Sequence, residues 1–389
     1  MSATDTLLNA VREIEPILRQ HAATAERDRR LATPVAKAMQ EAGLYRLWRP
    51  KPLGGFEVDP VGAFRILEEV ARIDSAAGWN LQLSTAFDVF GPWYDDQVAK
   101  EIFGPDAILG GAFNPTRKAV PVERGYRVSG RTPFVSGAHQ DTVFFGLANI
   151  FDDGEMRVGP NGIPQTLLTV CSANEAQIVD NWNTMGMCGT GSHDVNMEAV
   201  FVPESRAIPF VPLDKPGSAY QGPLYRLSVW PAVAALAPPA LGIARAAIEE
   251  TLELATKKTP AYTAKTLRDR AVVQSQLARA EAKLGAARAY LYDVFGQAWE
   301  EAVTARPITM ALKAKMQLSS TYAVLASAEA VDLVHDIVGA TGIRDEYPFA
   351  KHFRDIHVIT QHGFINASKL ESVGQIMLGL EPEWPFFAF

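Results

Sequence analysis

The side-chain periodicity of this chain changes twice, and those changes restrict its architecture more than any single motif. From Thr6 to about Phe103 apolar residues recur at three- and four-residue spacing: Leu7, Leu8, Val11, Ile14, Ile17 and Leu18, then Phe64, Leu67, Val70 and Ala71. That spacing predicts amphipathic helices. The segment Arg49-Pro50-Lys51-Pro52-Leu53-Gly54-Gly55 interrupts them. From about Ile108 to Phe210 short apolar runs alternate with glycine, proline, asparagine and aspartate. Tyr126 to Gly130, Thr142 to Phe145 and Leu167 to Val170 are expected as strands of an antiparallel sheet or barrel. After the Pro209 to Pro223 loop, the stretches Pro239 to Thr256, Thr266 to Thr304 and Ile308 to Val338 have the length and alanine–leucine content of a helix bundle. The expected order is an all-α domain over 1–107, a β-barrel over 108–215 and a helical bundle over 216–389.

With 389 residues the chain is long enough for a large buried core. A net charge of -7 and a pI of about 5.6, with basic residues dispersed, argue against nucleic acid as a partner. Cys171 and Cys188 form no spaced motif, which suits a reducing cytoplasm. Met1 to Ala10 carries Asp5 and lacks the pattern of a signal peptide. The most apolar later segment, Val229 to Ala244, is broken by Pro231, Pro238 and Pro239, so it reads as the entry to a buried helix and no membrane partner is expected.

Four of the seven histidines, His335, His352, His357 and His362, gather near the C-terminus. On a helix His357 and His362 are separated by roughly 500° of rotation, so they do not form a shared-face metal clamp, and no metal is expected. His352 and His357 read as surface or structural histidines. His362, beside Gly363, is the candidate for proton chemistry near neutral pH.

Four stretches, in order along the chain, carry a resemblance to a known family. They are Leu53-Gly54-Gly55 followed by the Leu67 to Trp79 segment, Gly125 to Gly137, Gly186 to Val195, and Phe353-Arg354-Asp355 with His362. The chain resembles the acyl-CoA dehydrogenase superfamily over nearly its whole length. Within it, the chain is most similar to the two-component flavin-dependent monooxygenases of that fold. The resemblance implies a mainly α fold with a central β domain. It also implies an oxidoreductase that takes reduced FMN, or FAD, from a separate NAD(P)H:flavin reductase, activates O2 as a C4a-hydroperoxide and oxygenates a small aromatic or heteroaromatic molecule.

The resemblance also assigns roles. His362 falls near the reactive face of the flavin, where acid–base work calls for a pKa near working pH. Ser136 falls where a hydroxyl meets flavin N5 or O4, able to donate or accept. Asn114 corresponds to a contact with the pyrimidine edge, Trp182 to an aromatic against the ring, and Arg268 to a cation for the flavin phosphate. Lys257, Lys258 and Arg270 compete for that last role. Ser192 and His193 are expected near the substrate pocket. The run Gly189-Thr190-Gly191-Ser192 lacks the lysine and following helix of a phosphate loop.

Two departures discriminate between activities. The segment that supplies the catalytic glutamate in many dehydrogenases reads Gln361-His362-Gly363, leaving Glu249, Glu250 or Glu253 as substitutes for an FAD-dependent dehydrogenase. Phe87 occupies the place of the histidine that deprotonates phenols in related oxygenases. Asp88 is the alternative base; otherwise the substrate needs no phenolate, and Phe87, Phe90, Trp93 and Tyr94 suggest an aromatic-lined pocket. A non-catalytic scaffold is the third possibility. The all-round apolar Val324 to Val338 suggests self-association, which the resemblance implies is a homotetramer, and the aromatic tail Trp384 to Phe389 is expected to dock on a neighbouring surface.

Overall fold

The computed structural model describes residues 2–159, 162–212, 216–217 and 220–389. Five helices come first: α1 (Ala3–Asp28), α2 (Thr33–Glu41), α3 (Pro60–Ile73), α4 (Ser75–Phe87) and α5 (Asp96–Ile102). Ser2 and Asp5 close a capping box on α1, and Asp59 caps α3 by accepting from the Gly62 N–H. Asp74 ends α3 and caps α4 through the Ala77 N–H, so one buried carboxylate sets the corner between them. Strands follow: β1 (Leu109–Val122), β2 (Gly125–Val135), β3 (Val143–Asp152), β4 (Glu155–Met156), β5 (Thr166–Ser172), β6 (Gln177–Val179), β7 (His193–Pro203) and β8 (Ala207–Pro209). The chain returns to helices α6 (Pro223–Arg226), α7 (Trp230–Ala234), α8 (Pro238–Lys257), α9 (Ala271–Val303), α10 (Met310–Val338), α11 (Phe349–Ile359) and α12 (Lys369–Met377).

The sheet order is β6-β7-β2-β1-β3-β5-β8, with β4 on β3. It is a mixed sheet rather than the expected antiparallel barrel, because β1 and β3 run parallel. β2 folds back on one side of β1 as a hairpin, so the chain must cross over to reach the other side. That crossover, residues 136–142, is where Ser136 lies.

Two cores result. Val128, Phe144, Val195 and Met197 fill the β side. On the other side Phe145, Leu147, Leu168 and Val170 join one continuous core with both helical regions. The two helical regions therefore share an interior although more than 100 residues separate them. α8 lies close on α3: a Cβ at Gly242 would stand 2.3 Å from the Glu68 carbonyl oxygen. Within Trp230–Lys257 the most apolar 18-residue window is 94% buried, as expected of a core helix. α9 begins at Ala271, later than Thr266, because Thr266 and Asp269 form a capping box around a short 3-10 turn.

α10 corrects the inference drawn from its composition. Its apolar sides, including Val324, Val331, Val334 and Val338, are buried within the chain by the surrounding helices. An all-round apolar helix here is the centre of the bundle and calls for no second subunit. The aromatic tail does dock, on its own chain: Trp230 Nε1 donates to the Phe389 carbonyl (3.1 Å) and Lys313 Nζ to that of Phe387 (3.1 Å).

Candidate active site

Ser136 follows directly on β2, at a turn closed by Gly137 with φ +82°. The Gly137 N–H donates to the Thr190 carbonyl (2.9 Å), which pins this turn to the loop preceding β7. The side chains of the two loops meet as a row of hydroxyls. Ser136 Oγ lies 2.6 Å from Ser192 Oγ, which lies 2.6 Å from Thr190 Oγ1. Thr190 donates to the Met187 carbonyl (2.8 Å), which also accepts from Trp182 Nε1 (3.0 Å). At the other end Trp79 Nε1 donates to Ser136 (3.1 Å). Ser136, Thr190 and Ser192 are all buried.

Trp79, on α4, joins this row to His362. The two rings stand edge to face at 5.6 Å. His362 lies in the turn after α11, and its Nδ1 accepts from the Phe364 N–H (3.3 Å). That contact assigns the remaining proton to Nε2, for which no partner is found among the described residues. The ring is half-buried, and loss of hydration pushes its pKa down to about 4. The direction departs from the expected pKa near working pH: burial favours the neutral imidazole, which presents Nε2–H as a donor.

Aromatic rings continue outward from His362. Phe364 is edge-on to it at 5.8 Å and faces Phe113 at 6.0 Å. The docked tail closes over Phe364 through Phe386 (4.7 Å) and Trp384 (5.7 Å). Phe87 is behind this layer, fully buried between Phe113 (5.1 Å) and Phe145 (4.8 Å). It is a core residue supporting the wall, so the half-buried Phe113 and Phe364 take the lining place expected of Phe87. Asp88 is no substitute base. It is fully buried against Arg49 (3.1 Å), whose other nitrogens donate to the carbonyls of Tyr45, Gly104 and Ala107.

The two sides of the site are tied together by Asp355 on α11. Its carboxylate accepts from the Met187 N–H (2.5 Å), Ser75 Oγ (2.5 Å) and Lys351 Nζ (2.5 Å). Burial alone would raise its pKa. The Lys351 charge and these hydrogen bonds outweigh that and hold it below the ordinary carboxylate value. The loop approaches α11 so closely that a Cβ at Gly186 would stand 2.5 Å from the Arg354 carbonyl carbon, which is why a glycine is needed there.

The other expected site residues are placed differently. His193 is buried and bonded at both nitrogens: Nδ1 accepts from the N–H groups of Asn181 and Trp182 (3.2 Å each), so Nε2 donates to the Arg29 carbonyl (3.2 Å). It fixes the Trp182 backbone, with both ring nitrogens taken by backbone groups. Trp182 is half-buried, with Phe134 edge-on at 6.1 Å. Asn114 is exposed at the irregularity of β1 between Ala112 and Arg117. Arg268 is exposed beside Asp269 (4.0 Å), outside the Ser136–His362 cluster. Lys258 bonds the Val338 carbonyl (2.7 Å) and Thr341 (2.6 Å), and Lys257 pairs with Glu253 (2.5 Å). Trp79, Thr190, Phe113, Phe364 and Met187 were not singled out in the sequence. Trp79, Thr190 and Met187 lie inside the resembling motifs, but the partners of Trp79 and Met187, Ser136 and Asp355, are distant in the chain.

Comparison with known proteins identifies the family. Residues 5–91 match the acyl-CoA dehydrogenase N-terminal domain and residues 234–367 the acyl-CoA dehydrogenase C-terminal domain. The chain is 32% identical to the indole-3-acetate monooxygenase of Pseudomonas putida over 98% of this chain and 94% of that protein. It is 24% identical to the flavin-dependent monooxygenase oxygenase subunit HsaA of Mycobacterium tuberculosis, over 92% of this chain and 91% of that protein. The crystal structure of 3-HSA hydroxylase from Rhodococcus sp. RHA1 superimposes with a TM-score of 0.88 at 22% identity, covering 96% of this chain and 97% of that one. XiaF from Streptomyces sp., in complex with FADH2 and glycerol, does so with a TM-score of 0.89 at 24% identity, covering 98% and 97%. With both family domains matched and full-length likeness to oxygenases, the chain belongs to the flavin-dependent monooxygenases of the acyl-CoA dehydrogenase superfamily.

Proposed function

We propose that the chain is the oxygenase of a two-component pair, receiving reduced FMN, with FAD as the alternative, from an NAD(P)H:flavin reductase and acting on a small heteroaromatic substrate of the indole type. The observation that carries the substrate class is the aromatic wall of Phe113 and Phe364 beside His362, with no acceptor on Phe87 and with Asp88 fully buried against Arg49. A phenol would need such an acceptor; an electron-rich indole does not. Two relatives are named for indole-3-acetate.

The residues present suit a flavin. Ser136 offers a hydroxyl at the end of a fixed row, Trp182 a half-buried indole, and His362 an N–H without a partner among the described residues. When bound, reduced flavin supplies the electrons that activate dioxygen for transfer of one oxygen atom to the substrate. Ser136 and Trp182 would hold the ring, with Asn114 and Arg268 reaching its outer parts. His362 Nε2 would place a proton, without giving it up, near the reacting oxygen. Phe113, Phe364 and the docked tail keep water away. A dehydrogenase reading lacks its base: Glu249 is paired with Arg72 (3.2 Å), Glu250 with His352 (2.8 Å) and Glu253 with Lys257.

The same reading includes a homotetramer, supported by the exposed Met377, Leu378 and Leu380 at the end of α12, and a cytoplasmic site with Cys171 and Cys188 as free thiols. Light scattering that returned a monomer would remove the tetramer. The substrate test mixes protein and reduced FMN with ¹⁸O2 in the presence of indole-3-acetate or 4-hydroxyphenylacetate and follows the products by mass. Label in the indole product supports the reading; label in the phenol alone, or none in either, overturns it.

A further inference from the structure

The row of hydroxyls has a fixed direction. Each hydroxyl carries one proton. Thr190 commits its own to the Met187 carbonyl at 2.8 Å, so the 2.6 Å contact between Thr190 and Ser192 needs the Ser192 proton. The 2.6 Å contact between Ser192 and Ser136 then needs the Ser136 proton. Trp79 Nε1 is a donor only and fills one Ser136 lone pair. What Ser136 keeps for a ligand is a single lone pair.

We infer that Thr190 and Ser192 are positioning residues that hold Ser136 as a hydrogen-bond acceptor and so select the reduced flavin, whose ring N5 bears a proton, over the oxidised flavin, whose N5 bears none. This rests on the assignment of Ser136 as the flavin contact made above. It departs from a serine that donates or accepts at will. For Ser136 to donate, Ser192 would have to turn toward Ser136, Thr190 toward Ser192, and the Met187 carbonyl would lose the hydroxyl and keep the Trp182 indole and the Thr190 N–H. Three buried bonds change together, which disfavours the reversal.

Thr190→Val keeps the side-chain shape and removes the hydroxyl. Ser192 then turns its proton to Ser136, and the Ser136 proton is released toward the ligand. Ser192→Ala releases it directly, and Thr190→Ser preserves the row. The experiment measures anaerobic dissociation constants for reduced and for oxidised FMN, with the indole N–H resonance of Trp79 in the flavin-free protein as a second readout and thermal melting as the check on folding. The preference for reduced over oxidised FMN is expected to fall about five- to tenfold in Thr190→Val and in Ser192→Ala, as loss of one directed hydrogen bond implies. It should stay at the wild-type value in Thr190→Ser, and the Trp79 resonance should move only in the first two. If Ser136→Ala weakens reduced FMN while Thr190→Val and Ser192→Ala leave the ratio unchanged, the directional row is overturned and the site assignment stands. If Ser136→Ala alters neither affinity, the site assignment fails and the inference falls with it. Should Thr190→Val not fold, Ser192→Ala alone decides.

Discussion

The two sides that meet at Trp79 are built from opposite materials. On one, Ser136, Ser192, Thr190 and the Met187 carbonyl form a row in which every hydroxyl proton is committed. On the other, His362 stands among Phe113, Phe364 and the Trp384–Phe389 tail, and its Nε2 proton has no partner among the described residues. A saturated polar row is rigid and directional, because turning one hydroxyl requires turning all of them. An aromatic wall tolerates varied shapes and rejects water, but on its own carries little directional information. The difference teaches that the first side suits a constant ligand and the second a variable one, such as a cofactor and a substrate.

The strongest way to break the comparison is to cut the tie between the sides. Asp355→Ala leaves the half-buried Lys351 without its nearest carboxylate and frees the buried Met187 N–H, and is expected to cost about 3 kcal/mol in urea unfolding. The carboxylate's folded pKa lies below its ordinary value. Its stabilisation is therefore present above about pH 4 and lost as pH falls through the folded pKa. A loss under about 1 kcal/mol would mean that the sides are joined elsewhere.

Loosening only the aromatic side comes next. Phe387 is buried against Trp230 (5.2 Å), and Phe387→Ala should cost about 3 kcal/mol by the same measurement. Reduced-FMN affinity should stay near the wild-type value, since the hydroxyl row is untouched; a parallel loss would show that the two sides do not act separately. His362→Asn sharpens the comparison in the opposite sense. Oxygenated product per flavin oxidised should fall about 10²-fold, with the thermal midpoint shifting by only a few degrees. Unchanged product yield would demote His362 to packing.

The smallest effect is in pH dependence. Free imidazole takes up its proton near pH 6.5, whereas burial delays protonation of His362 to about pH 4. The unfolded chain therefore binds more protons across that window, and wild-type stability falls as pH drops through it. His362→Asn should flatten this part of the melting curve against pH. Parallel curves for wild type and variant would show that His362 does not titrate as an isolated buried ring.

Much of this was legible in the sequence wherever the signal is local. The two changes of periodicity correspond to the observed helices and strands, and Ser136, Ser192 and His362 do assemble around one point. What was not legible depends on partners far apart in the chain. Trp79 and Ser136 are 57 residues apart, and Met187 and Asp355 are 168 apart, so neither bond leaves a mark in spacing. Asp88 was open to an acid–base role only until Arg49, 39 residues earlier, closed on it. His193 has the residue type of a pocket group, yet three backbone groups consume its nitrogens. Val324 to Val338 reads the same whether its apolar sides face sister helices or another subunit, because composition does not say what covers a surface.

The tight passage of Gly186 over Arg354 bears on how such proteins can be recombined. Residues 183–192 form a short loop that looks exchangeable, but it is fastened to α11 by a contact with no room for a Cβ and by the bond from Met187 to Asp355. A chimaera that imports this loop from a relative must bring a glycine at 186 and meet an acidic residue at 355. Loop and helix are thus one unit of inheritance, although 168 residues of sequence lie between Met187 and Asp355.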